Sequence, residues 1–331
     1  MGVENTVPSI KMRLSLAVGL VALCAAALVF YETGSWRTLL DWHSVHVLFQ
    51  GIVWDGIPFI AIGALLAAMI ESWLSSGGVV ALLSDNLAGR LAAAMIGTTL
   101  PVCDCGAMPV ARTLRRKGVG ESIAFTFVLA APTLNIVSLA ATFIAFHQHW
   151  RWLAIRAGAA LAIAVATGWI VRIREDGLTE KWRRSPSFAK HSRRGAAAVL
   201  SHASGEMFAV GPFFVASALL AAMAQNLLSV RAVTAFTQHS VWSIAFMMGV
   251  GGALSLCSTA DAFVAASLAG LFSPGAILAF LLMGQMVDLR NVFMLPQAFG
   301  RRTVTLGLAV ATVMIFAAAL MVNLWLTGGL V

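Results

Sequence analysis

Two thiols separated by one residue are the first groups in this chain that could do chemistry. Cys103 and Cys105 flank Asp104 in a run bounded by Pro101 and Pro109. Each proline lacks an amide proton and clashes with the carbonyl four residues earlier, so a regular helix is not expected here. Two thiols would suit a soft, thiophilic species. On a regular helix they would point about 200° apart, whereas an unwound segment would let both face one cavity.

A second stretch of the same kind lies further along the chain, where Cys257 is followed by Ser258, Thr259 and Asp261. Cys257 is offset from Cys103 by 257 − 103 = 154 residues. A third thiol and a carboxylate are therefore expected to join the first pair if the two stretches are copies of one element.

An internal repeat supports that expectation. The segments 58–71 and 212–225 share a proline, a phenylalanine and the run Ala-Leu-Leu-Ala-Ala-Met, again at 212 − 58 = 154. Further on, Asn135 corresponds to Asn291 at 291 − 135 = 156, after a small insertion. An offset kept over this distance, which also pairs one cysteine with another, is hard to obtain by chance.

The composition places these elements in a membrane. The 331 residues are 60% hydrophobic and only 11% charged. Because a spanning helix needs about 20 apolar residues, the sequence predicts an all-α polytopic membrane protein with roughly eight to ten membrane segments. The net charge of +8 comes from basic residues in loops, as on the cytoplasmic side of inner-membrane proteins, and predicts no nucleic-acid partner.

The order of apolar and polar runs predicts four regions. Residues 1–50 hold a first transmembrane helix, Leu14 to Phe30, and an outer linker, and residues 51–172 form the first repeat. Residues 173–205 form a basic cytoplasmic loop, and residues 206–331 form the second repeat, whose first span begins near Met207.

The basic clusters predict the topology. Lys11 and Arg13 place the N-terminus in the cytoplasm. The clusters at 112–117, 172–194 and 301–302 also lie inside if each cysteine stretch forms a re-entrant or broken-helix hairpin. The two repeats then run in opposite directions, which is the inverted-repeat plan of many secondary transporters. The alternative is that both hairpins cross fully and the repeat is parallel.

Ionisable groups within apolar spans are costly and point to function. Asp261 and Asp288 are the predicted proton-coupling carboxylates; capping of a half-helix by Asp261, and an Asp288–Arg290 structural pair, are the alternatives. The predicted substrate-binding residues are Cys103, Cys105, Cys257, Asp104, Asn135 and Asn291. The two asparagines could instead hydrogen-bond the backbone at helix breaks.

The cysteine stretch, the following Ala131-Pro132-Thr133-Leu134-Asn135, and the second-half segments 257–263 and 284–291 resemble a known family. It is the predicted-permease family that includes the YraQ-type proteins and the organoarsenical permease ArsP. The resemblance covers roughly residues 51–302 and implies a membrane permease. It points less directly to efflux of trivalent organoarsenicals, since Asp104 and Gly106 occupy positions that are often serine in that family.

These observations predict a secondary permease, not an enzyme, for a small thiophilic or metalloid-containing solute. The competing interpretations are a membrane thiol-disulfide oxidoreductase using Cys103, Cys105 and Cys257, and a non-enzymatic subunit of a larger membrane assembly. No Walker A or GxGxxG motif is present, and no cofactor or resident metal is predicted. The expected partners are the solute and the lipid bilayer of the cell inner membrane, with a homodimer left open.

Overall fold

In the computed structural model, the described residues are 42–73, 76–99, 103–175, 196–227 and 240–327. The predicted helix Leu14–Phe30, with Cys24, and most of the predicted basic loop lie outside them. The described part is helical, and six of its helical segments are long and apolar enough to cross a membrane. The protein is therefore an all-α polytopic membrane protein. Its α-helices are α1 Trp42–Trp73, α2 Ser76–Leu82, α3 Leu87–Thr99, α4 Asp104–Arg116, α5 Glu121–Leu134, α6 Ile136–Ala145, α7 Trp150–Glu175, α8 Ala196–Leu227, α9 Ser240–Leu254, α10 Ser258–Leu268, α11 Pro274–Met286, α12 Leu289–Met294 and α13 Arg301–Thr327.

The helix boundaries repeat with the offset found in the sequence. α8 begins and ends 154 residues after α1, since 196 − 42 = 154 and 227 − 73 = 154. α10 begins 154 residues after α4, since 258 − 104 = 154. α8 starts well before Met207, where hydropathy had placed that span, because an alanine-rich turn and a buried Glu206 extend the helix beyond its most apolar part.

Each cysteine stretch joins two half-length helices. Hairpin 1 consists of α3 and α4, with 13 residues each, and hairpin 2 consists of α9 and α10, with 15 and 11 residues. None of these four helices reaches the length of about 20 residues that a span requires.

Both hairpins turn back at their tips. In hairpin 1, Asp85 just before α3 accepts a hydrogen bond from Ser122 at 3.1 Å, and Arg115 near the end of α4 lies 3.4 Å from Glu121. Both open ends of hairpin 1 therefore lie at the start of α5. In hairpin 2, Phe272 after α10 stacks on Phe246 in the first half of α9, with ring centroids 6.5 Å apart.

A glycine at the same position of each hairpin permits close crossing of a central helix. A Cβ atom on Gly97 of α3 would lie 2.9 Å from the Cα of Ala131 in α5. A Cβ atom on Gly251 of α9 would lie 2.7 Å from the carbonyl oxygen of Phe280 in α11. The two positions again differ by 251 − 97 = 154, so the same packing solution is used twice.

α5 and α11 form the centre of the molecule and run in opposite directions. Every residue of α5 and most residues of α11 are buried. Glu121 at the start of α5 accepts a hydrogen bond from Gly300, just before α13, at 2.9 Å. The amide of Gly275 at the start of α11 instead donates to Asn323, near the far end of α13, at 2.7 Å.

α1 and α8 also pack side by side in opposite directions. Val45 near the start of α1 clusters with Ala222 near the end of α8. Gly56 faces the ring of Phe214, and further along α1 Ala64 meets Ala203, near the start of α8. Two pairs of corresponding helices are therefore antiparallel.

Candidate functional site at the hairpin tips

The tip of hairpin 1 brings two thiols together. Cys103 precedes α4 with an extended backbone, at φ −82° and ψ −178°, and the helix begins at Asp104. Cys105 is buried and Cys103 is half-buried, and their thiols are close neighbours. Residues two apart on a continuous helix would diverge, so the break before α4 allows the two thiols to lie near each other.

Asp104 faces a buried arginine from the second half of the chain. Nη2 of Arg290 lies 3.6 Å from Oδ2 of Asp104, and Nε of Arg290 donates to Oδ2 of Asp288 at 3.0 Å. All three side chains are buried, and neither carboxylate oxygen of Asp104 accepts a hydrogen bond from the described residues. One guanidinium thus serves two carboxylates where desolvation makes an unpaired charge expensive.

The same arginine contacts the tip of hairpin 2. Nη2 of Arg290 donates to the carbonyl of Leu256 at 2.8 Å. The hydroxyl of Ser255 accepts from the amide of Leu289 at 3.2 Å, and Ser255 has a φ of 46°, in the left-handed region that non-glycine residues seldom occupy. The tips of both hairpins therefore contact the short segment 288–290.

Cys257 precedes α10 just as Cys103 precedes α4, and its Sγ lies 3.2 Å from the hydroxyl of Thr259. Within the described residues, no group of three or more His, Cys, Asp or Glu side chains is arranged to hold a metal ion. The predicted meeting of all three thiols in one solute site remains a prediction.

Asp261 forms a second buried charge cluster with a partner that the sequence analysis missed. Nη2 of Arg156 in α7 lies 3.5 Å from Oδ2 of Asp261, and Gln285 donates to the same oxygen at 3.1 Å. Nη1 of Arg156 donates to the hydroxyl of Thr142 at 2.6 Å. Arg156 is 0% exposed and Asp261 is 1% exposed. In this structure Asp261 is engaged by side chains and does not cap α10, which begins after Cys257.

The two clusters are reciprocal. Asp104 belongs to the first half of the chain and pairs with Arg290 of the second half. Asp261 belongs to the second half and pairs with Arg156 of the first half. Each carboxylate lies on the first turn of the returning helix of a hairpin. Each hairpin tip is thus linked by charge to the opposite half.

The two predicted asparagines lie at breaks in the central helices. Asn135, between α5 and α6, accepts a hydrogen bond from the amide of Val137 at 2.8 Å. The side chain of Asn291, in α12, donates to the carbonyl of Gln285 at 3.1 Å, and the backbone amide of Asn291 donates to Asp288 at 2.8 Å. Both side chains therefore bond the backbone at a break, and their predicted contact with solute stays a prediction.

Sequence reasoning missed the buried arginine of α7 and a buried glutamate of α8. Arg156 lies within the apolar run from Leu153 to Val171. The rule that ionisable residues in apolar spans point to function, which selected Asp261, therefore applies to Arg156 as well. Glu206 is buried and pairs with Arg112, at 3.5 Å, and with Arg116 of α4. It lies at the predicted start of the second repeat, just after the predicted loop 173–205 and just before the predicted span from Met207.

An apolar groove of about 450 Å³ lies apart from this chemistry. α9, α11 and α13 form its walls, and none of the predicted site residues lines it. The residues that line it are Ala245, Met248, Gly249, Met283, Thr312, Val313 and Phe316.

Comparison with known proteins agrees with this membrane architecture. A family model described as a predicted permease, ArsP_1, matches residues 41–324. The chain belongs to this family. The match includes both hairpins and both central helices, so the predicted membership is confirmed and a membrane transporter is supported over an enzyme.

Three relatives share most of their length with this permease. "UPF0718 protein YcgR" of Bacillus subtilis is 34% identical over 284 residues, covering 83% of this chain and 96% of the relative. A Streptococcus mutans protein named "Putative two-component membrane permease complex subunit" is 33% identical, covering 76% and 86%. "UPF0718 protein YraQ" of Escherichia coli is 26% identical, covering 85% and 80%. No solved structure matches. The comparisons lend no support to the oxidoreductase alternative.

Proposed function

We propose that the protein is a secondary permease whose transport site lies where the two hairpin tips meet the segment 288–290. The observation that carries the proposal is the reciprocal pairing of Asp104 with Arg290 and of Asp261 with Arg156. Broken helices and buried charges at membrane depth are tolerated where they line a cavity or a solute pathway.

An inverted repeat would let such a site open alternately to the two sides of the membrane. The antiparallel course of α5 and α11, and of α1 and α8, supports this arrangement. Hairpin 1 and hairpin 2 would then enter from opposite faces, and rocking of one half against the other would expose their tips in turn.

The solute proposed for this site is small and thiophilic, with a trivalent organoarsenical as the first example to test. Half-buried Cys103 and buried Cys105 are neighbours at the tip of hairpin 1, where two sulfur ligands would favour a soft centre. Asp104, Cys257, Asn135 and Asn291 complete the proposed binding residues. Since the chain shows no nucleotide-binding motif, an ion gradient acting through Asp261 and Asp288 is the proposed energy source.

The charge distribution favours one orientation in the cell inner membrane. Contacts bring Asp85 to Arg172, Arg115 to Glu121, and Glu121 to Gly300 beside two further arginines. Described residues of three basic clusters thus lie at one end of the molecule, which the positive-inside rule makes cytoplasmic. With this end inside, the N-terminus is proposed to be cytoplasmic as well.

Accumulation of methylarsenite in cells tests the solute class. Cells that express the protein should accumulate less methylarsenite than cells without it if the protein is an exporter, or more if it is an importer. Cys103→Ser, Cys105→Ser and Cys257→Ser should abolish the difference, whereas the matched control Cys24→Ser should preserve it. Unchanged accumulation in all the site variants, for methylarsenite and for soft metals, would reject a thiophilic solute.

A second candidate function is that of the membrane subunit of a permease complex. Asp55 is exposed near the middle of α1, and Trp54 beside it is 76% exposed. A carboxylate facing lipid is costly, which favours a partner on this face. The name of the Streptococcus mutans relative fits the same idea. Transport by the purified chain alone in proteoliposomes would reject a required partner. A homodimer would be seen as a doubled mass of the purified protein.

A further inference from the structure

The two hairpins are held in different ways. The open end of hairpin 1, opposite its tip, is held to three helices by ion pairs. Arg112 and Arg116 pair with Glu206 of α8, Arg115 with Glu121 of α5, and Lys117 with Glu71 of α1. Its tip carries the further pair between Asp104 and Arg290. Hairpin 1 is therefore anchored at both ends.

Within the part of the chain that the structure describes, hairpin 2 has a single ion pair, and hydrogen bonds from Arg290, Leu289 and Gln225 hold its tip. Among the described residues, the only ion pair that involves α9 or α10 joins Asp261 to Arg156. A hydrogen bond of 3.4 Å from Ser138 to the carbonyl of Ser258 lies beside it. Near the open end of hairpin 2, opposite its tip, the stacking of Phe246 on Phe272 is apolar. Such a contact can slide without leaving a buried charge unpaired.

Burial differs in the same sense. Every residue of α4 from Asp104 to Ala111 is buried. Only four residues of α10 are buried, and Phe263 on the opposite face is 52% exposed. The returning helix of hairpin 2 is therefore less enclosed by its neighbours than the returning helix of hairpin 1.

Release of the Asp104–Arg290 contact would also differ from release of the Asp261–Arg156 contact. Asp288 already accepts a hydrogen bond from Arg290, so this guanidinium stays paired whatever Asp104 does. Arg156 has Asp261 as its only carboxylate within the described residues. The position of hairpin 2 is thus coupled to whether Arg156 holds it.

We propose that Arg156 is a positioning residue that holds hairpin 2 through Asp261, and that separation of this pair lets hairpin 2 move as the gate of the permease. The inference rests on the proposed transport function. It adds that hairpin 2 is the element that moves and that the Asp261–Arg156 pair holds it in place. Arg156 contacts no proposed solute ligand, so it acts on the transport step through hairpin 2.

The test follows Cys257, at the tip of the proposed gate, in full-length protein reconstituted in proteoliposomes. Cys24→Ala, Cys103→Ala and Cys105→Ala leave Cys257 as the single cysteine. Its alkylation by a membrane-impermeant maleimide should become at least about fivefold faster with Arg156→Ala, the lower end of typical couplings between two states. Asp261→Asn, a milder change, should act in the same direction.

Two controls separate gating from general loosening. Arg112→Ala removes a partly buried guanidinium from hairpin 1 and should leave the alkylation rate of Cys257 unchanged. The exchange Arg156→Asp with Asp261→Arg should bring the rate back towards that of the parent. An unchanged or slower rate in both Arg156→Ala and Asp261→Asn, or an equal increase with Arg112→Ala, would overturn the inference.

The kinetics of transport test whether the Asp261–Arg156 pair acts on the transport step. In the protein with all its cysteines, Arg156→Lys should lower the maximal rate of methylarsenite transport and leave KM unchanged. A raised KM at an unchanged maximal rate would overturn the positioning role. If the parent protein does not transport methylarsenite, the proposed solute fails, whereas the alkylation result still decides the gating inference.

Discussion

Replacement of Arg290 by alanine should destabilise the protein more than any other single loss of charge in the described helices. The change would leave Asp104 and Asp288 buried without their shared cation and would free the carbonyl of Leu256. Removal of one partner from a buried ion pair costs about 3–5 kcal/mol. At about 2–4 °C per kcal/mol, this predicts a fall in the unfolding midpoint of roughly 6 °C or more.

Thermal unfolding of the purified protein in detergent, followed by tryptophan fluorescence, measures this loss. Arg290→Lys should be intermediate, because a single ammonium cannot reproduce the contacts that the guanidinium makes at 2.8 Å and 3.0 Å. Arg112→Ala is the matched control, since Arg116 still pairs with Glu206.

Neutralising the whole cluster tests the physical cause. Arg290→Met combined with Asp104→Asn and Asp288→Asn removes every charge and should recover much of the stability lost in Arg290→Ala. An unfolding midpoint for Arg290→Ala equal to that of Arg112→Ala, or a triple variant less stable than Arg290→Ala, would refute electrostatic pairing as the reason that Arg290 matters.

Three further changes test the packing that positions the site. Asn135→Ala removes the cap of α6 and should lower the free energy of unfolding by about 1 kcal/mol, measured by denaturant titration. Gly97→Leu and Gly251→Leu should each prevent a hairpin from crossing its central helix, seen as loss of monodisperse protein on size-exclusion chromatography, whereas leucine at the open Gly158 should be tolerated. Glu206→Ala should expose the end of α4 to faster hydrogen exchange, because it leaves two arginines without their carboxylate.

The sequence predicted the fold well where a local rule decides it. α4 continues through Pro109, where the sequence predicted no regular helix. The run around Cys103 and its constant offset to Cys257 nevertheless located both hairpins. The break at Asn135 followed in the same way. Hydropathy placed the start of α8 too late, since Glu206 lowers the apolar character of a segment that is nevertheless helical and buried.

The partners within the site could not be predicted, because they depend on which helices meet. Asp261 was identified, but its pairing with Arg156 joins residues 105 positions apart in the chain. The contact between Asp104 and Arg290 likewise joins the two halves. A repeat offset relates corresponding residues to each other, whereas these pairs join positions that do not correspond.

Reactivity of a single cysteine at position 103 from each side of the membrane tests the central claim most directly. An impermeant maleimide applied to oriented proteoliposomes from either side should label Cys103, since a site that opens alternately is reached from both faces. Labelling should slow on both sides when the transported solute is present. Labelling from one side only, under every condition in which the protein transports, would contradict a transport site at the hairpin tips.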